Sequence, residues 1–128
     1  MKFAKVVFLL AGIYGLLALL PQYFMEAYTA RAYPPPITHP EYFYGFIGVA
    51  VAWQVLFLIL SRDPVRFRPM MIPAVLEKLA FGVAALVLYA QQRLPQLMLA
   101  GGIVDLILAA LFIAAYVKTA TGREARRK

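Results

Sequence analysis

Apolar residues gather into four long stretches, at about 5–20, 42–61, 73–91 and 97–117, and the prolines fall between them or at their edges. A proline inside a helix removes a hydrogen bond and clashes with the preceding turn, so the placement of all nine outside the apolar runs predicts four helices. With its flanks each stretch reaches the ~20 residues that a bilayer requires. No stretch alternates with period two, which argues against a β-barrel. The pattern predicts an all-α integral membrane protein, a four-helix bundle forming one domain.

The first stretch, Val6 to Leu20, follows Lys2 and Lys5 and so begins as a signal peptide does. The small-residue pair Ala30 and Ala32 lies too far downstream for ordinary cleavage, so a retained helix is expected. An outer loop, 21–41, holds Pro34-Pro35-Pro36, which favours a stiff extended conformation. Before it, Tyr23, Phe24 and Tyr28 suggest a short interfacial helix. An inner loop, 62–72, carries Arg62, Arg66 and Arg68, and Pro73 suits a first helical turn. A polar tail occupies 118–128.

Composition sharpens the membrane assignment. Hydrophobic residues are 63% of the 128 and charged residues 15%, against about half and a quarter in ordinary globular domains. A soluble domain of this length could not hide so much apolar surface. The absence of cysteine excludes disulfides and thiolate chemistry, and the single His39 excludes a multi-histidine site within one chain.

The net charge of +7 sits at the ends of the apolar runs, where it sets topology and meets anionic lipid, so no nucleic-acid partner is expected. The amino terminus holds Lys2 and Lys5, the inner loop three arginines, and the tail five basic residues. The other two loops hold only Arg31 and Arg93. This asymmetry predicts N-in/C-in topology, with both termini cytoplasmic. Tyr23, Tyr28, Tyr33, Tyr42, Tyr44 and Tyr89 map to the opposite side as an interfacial belt.

Few polar groups lie at membrane depth, where they are costly and usually face the bundle interior. Helical rise places Asp105 about 12 Å, and Trp53 and Gln54 about 16–18 Å, below the outer end of their helices. Tyr14 lies about 14 Å up from the inner side, so these four are expected to meet near one level. Glu77 lies only about 6 Å from the inner end, which predicts a separate inner site of Glu77 and Lys78 with Arg62, Arg66 or Arg68. The plain reading of the inner site is ion pairing that seats a helix end. For the central site it is interhelical hydrogen bonding, worth ~0.6 kcal/mol on average. The functional reading of the central site is a polar point that orients an amphiphilic ligand or carries a proton.

Gly101, Asp105 and Ala109 share one helical face, as do Gly45, Gly48 and Ala52, and Gly12 with Gly15, so close helix packing or dimerisation is expected. Glu26, His39 and Glu41 mark an outer mouth whose spacing matches no metal-ligand motif. No phosphate loop, nucleophile elbow or His-Glu-x-x-His motif occurs. No catalytic residue, metal or cofactor is assigned.

The length, the four spans, the Gly101-Gly102-x-x-Asp105 start of the last stretch and the basic turn from Arg62-Asp63-Pro64 to Arg68-Pro69 together resemble small four-helix DoxX-like membrane proteins. That resemblance implies a bacterial inner-membrane protein. In architecture alone, the chain is also similar to the emopamil-binding and sigma-2 receptor group, which places acidic residues in a lipid-accessible cavity. Glu41, Glu77 and Asp105 are the comparable acids here. Three readings stay open: binding of an amphiphilic ligand or partner helix, an isomerase-type membrane enzyme using Asp105 or Glu77, and a subunit of an oligomeric small transporter.

Overall fold

The computed structural model describes residues 2–128, the side chain of Arg123 excepted. Five α-helices follow one another: α1 (Lys2–Leu19), α2 (Glu26–Ala32), α3 (Pro40–Arg62), α4 (Met71–Ala90) and α5 (Gln96–Arg127). One 3₁₀ turn, Leu20–Phe24, extends α1 and another, Arg68–Met70, leads into α4. Four segments are long and apolar enough to cross a membrane: Lys2–Phe24, Pro40–Arg62, Arg68–Ala90 and Gln96–Arg127. The all-helical fold is therefore compatible with a multi-pass membrane protein.

Prolines set the helix starts. Pro40 opens α3, and Pro95 is the extended residue before α5. Each lies where a missing N–H leaves no intrahelical bond unmade. The end of α4 is closed differently. Arg93 N–H donates to the Leu88 carbonyl at 2.8 Å and Gln92 N–H to the Tyr89 carbonyl at 2.9 Å. This is a Schellman closure, and it holds Gln92 at φ 57°, a conformation usually taken by glycine.

Packing divides the bundle along its length. α1 lies along α3, α4 along α5, and α1 also touches α5. In the half that carries both termini, all four long helices contribute to one core. Phe8 stacks on Phe112 at 4.3 Å between ring centroids, and Phe57 meets Phe112 at 5.1 Å and Phe8 at 6.1 Å. Ala4, Ala11, Leu60, Met71, Ala74 and Ala115 close around the three rings.

In the opposite half, the close approaches follow two separate seams. Gly12 and Gly15 bring α1 against Leu58 and Gln54 of α3. Gly82 and Gly102 bring α4 and α5 together, and a Cβ at Gly102 would collide with Ala85. Small residues allow such backbone approach where lipid gives helices no hydrophobic reason to associate.

The expected polar tail is helical. α5 continues past Val117 to Arg127, and its 32 residues span about 48 Å, well beyond a ~30 Å hydrocarbon core. A bond within α5 and contacts with the α3–α4 connection hold the extension. Thr119 is buried and donates to the Ala115 carbonyl at 2.7 Å, and Gly122 abuts Val65. Arg126 grips both Asp63 carboxylate oxygens at 3.1 Å. That guanidinium, then the Arg66 backbone N–H, holds the Asp63 carboxyl below the usual carboxylate range.

Candidate functional site

Lys78 sits on the stripe Met71, Ala74, Lys78, Gly82, Ala85, which is the buried face of α4. Its side chain is only 4% exposed. The ammonium lies 3.3 Å from Asp105 Oδ1 on α5 and 3.6 Å from Glu77 Oε2, and 5.2 Å from the centroid of the Phe57 ring on α3. An ammonium is thus held between two carboxylates on one side and the face of a core aromatic on the other. The cluster stands where the four-helix core gives way to the two seams.

This arrangement corrects the expectation of two separate sites. Helical structure leading into α4 begins at Arg68 rather than near Pro73, so Glu77 lies about 13 Å from that end, more than twice the expected depth. The four-carbon lysine stem covers the remaining distance to Asp105. None of the three arginines expected beside Glu77 pairs with it. Arg68 Nε donates to the Tyr116 carbonyl at 2.9 Å with its guanidinium 3.7 Å over the Tyr116 ring. Arg66 lies 5.4 Å over Phe67, and Arg62 is exposed.

Among the described residues none of Tyr14, Trp53 and Gln54 hydrogen-bonds Asp105, whose partner is Lys78. Tyr14 is exposed on α1. Trp53 packs on the aromatic core, 6.4 Å from Phe57. Gln54, 2% exposed, donates from Nε2 to the Ala50 carbonyl at 2.9 Å and presses its amide against Gly15. Its Oε1 is buried without a hydrogen bond.

One ammonium faces two carboxylates, so with all three groups ionised the sum would be −1 and one added proton would balance it. Glu77 Oε2 is buried with no hydrogen bond, since the lysine contact is too long to count as one. A buried acceptor without a donor costs about 1–3 kcal/mol, and more when it is charged. Chemically, this oxygen can take a donor from a ligand or a proton.

The outer-mouth residues also divide. His39 Nδ1 lies 3.2 Å from Glu41 Oε1, whereas Glu26 accepts from the Tyr44 hydroxyl at 2.7 Å. Among the described residues no three potential metal ligands come together. A shallow crevice of about 400 Å³ lies beside Glu26, between Tyr23, Ile37 and Tyr44, away from the lysine cluster. The cation–π partner Phe57 was not anticipated; the α4 stripe that places Lys78 in the interior was open to view. Comparisons with protein-family models, curated proteins and solved structures give no match to this chain.

Proposed function

We propose that this chain is a multi-pass protein of the bacterial inner membrane, both termini cytoplasmic, that binds an amphiphilic, lipid-like ligand through its buried charges. The carrying observation is Glu77 Oε2, a buried carboxylate oxygen without a donor beside an ammonium that is already shared. A ligand hydroxyl or amine would satisfy that oxygen, while its apolar part would lie among the helices. The Gly101-Gly102-x-x-Asp105 segment, which carries the DoxX-like resemblance, supports this reading by bringing α5 close to α4 and delivering Asp105 to Lys78. The cytoplasmic placement of the termini rests on the lysine and arginine asymmetry between the two sides.

Native mass spectrometry of the intact protein taken from its own membrane into a mild detergent tests the binding. A retained hydroxylated or amine-bearing amphiphile is expected, and Glu77→Leu should lose it while leaving helicity unchanged. A protein that carries no amphiphile in either form would contradict the reading. The same oxygen favours one alternative, an isomerase-type enzyme in which Glu77 accepts a proton from a buried apolar substrate. Under that alternative Glu77→Gln would keep the ligand and lose turnover.

A further inference from the structure

A second feature stands apart from the lysine cluster, on the side of the bundle where α4 begins and the membrane part of α5 ends. A groove of about 210 Å³ runs between Ile72, Val75 and Leu76 on α4 and Ile113 and Tyr116 on α5. Ile72, Leu76 and Ile113 are exposed, so the groove opens sideways, as a site for an acyl chain must. Tyr116 forms one wall and is also the residue on which Arg68 rests. Cation and groove therefore adjoin through a single side chain.

Arg68 is fixed before any ligand arrives. Its Nε–H is spent on the Tyr116 carbonyl, and the ring beneath holds the guanidinium plane. The two terminal nitrogens keep four N–H donors, and that fork matches a phosphate. Arg68 makes no ion pair among the described residues, and the nearby acid Asp63 is occupied by Arg126 and the Arg66 N–H. Arg62, Arg66 and Lys118 add positive charge at the same end, which disfavours a headgroup carrying its own ammonium.

We infer that this face binds one anionic phospholipid, its phosphate on Arg68 and one acyl chain in the groove beside Tyr116. The site shares no residue with the Lys78 cluster, so it stands or falls independently of the function proposed above.

The test is native mass spectrometry of the full chain in non-ionic detergent, titrated with phosphatidylglycerol or phosphatidylcholine. One phosphatidylglycerol should be retained about tenfold more tightly than phosphatidylcholine, a difference of about 1.4 kcal/mol. Arg68→Gln should weaken phosphatidylglycerol about tenfold or more, as expected for loss of a charged hydrogen bond. Val75→Trp, which fills the groove and leaves Arg68 in place, should weaken it comparably, and it decides the matter if Arg68→Gln lowers thermal stability. Arg127→Gln, an equal charge change at the helix end, should leave binding unchanged. Equal affinity for the two lipids, equal losses in Arg68→Gln and Arg127→Gln, or undiminished binding in Val75→Trp would overturn the assignment.

Discussion

The two halves of this bundle are held by different means. Near the termini, Phe8, Phe57 and Phe112 interlock across three helices, and aliphatic residues from all four close the space around them. Toward the other end, glycine-lined seams join α1 to α3 and α4 to α5. A core shared by four helices fixes one arrangement. Each seam fixes one pair of helices, and the pairs are related by Phe46 on α3 meeting Phe81 on α4 at 6.3 Å between ring centroids and by what lies at the junction with the shared core. Lys78, Glu77 and Asp105 stand at that junction, with the lysine touching α3 through Phe57 and α5 through Asp105. Buried charge here acts as a fastener where the shared core gives way to the two seams.

Substitutions can break this contrast, beginning with the largest effect. Lys78→Met leaves two largely buried carboxylates uncompensated and should cost about 3 kcal/mol or more, measured by unfolding in mixed micelles. Phe112→Ala should cost about 3 kcal/mol or more through the cavity left in the packed half. Val83→Ala, on an exposed face of the seamed half, should stay within about 0.5 kcal/mol. Similar losses for Phe112→Ala and Val83→Ala would mean that Phe112 is not enclosed by the shared core. Gly102→Ala should cost about 1–3 kcal/mol, because its Cβ meets Ala85 and the α4–α5 seam must widen.

Two smaller effects lie at the ends. The depressed Asp63 carboxyl lends stability to the α5 extension above its unfolded pKa, about 3.9. That contribution is lost as pH falls through the lower, folded value. Carbon-13 NMR of the Asp63 carboxyl should titrate below 3.9 in the native chain and move back up in Arg126→Gln. A midpoint at the ordinary value in both would remove Arg126 as the anchor. Gln92→Gly should stabilise by about 1 kcal/mol, since glycine adopts the left-handed conformation without a Cβ penalty.

Much of the fold was legible because two independent signals agreed, proline placement and the apolar runs. The candidate site was legible in its members and misread in its grouping. Depth counted along each helix separates Glu77 from Asp105 if α4 starts at Pro73, whereas Pro69 already lies in a helical turn. Axial counting also treats a side chain as a point at its Cα, and lysine is the residue for which this fails most. Asp105 could equally have faced Tyr14 or Gln54, and only the rotation of α5 against α4, set by Gly82 and Gly102, decides for Lys78. The helical tail was missed because its support is tertiary. Gly122 on Val65 and Arg126 on Asp63 join residues far apart in the chain, and no local propensity announces them.

A double-mutant cycle on Lys78→Met and Asp105→Leu, read by unfolding in mixed micelles, tests the fastener most directly. If Lys78 is held at the junction by Asp105, the double variant should be more stable than Lys78→Met alone, with a coupling energy of about 1–3 kcal/mol. Losses that simply add would mean that the two side chains do not depend on each other, and that the halves are joined by something else.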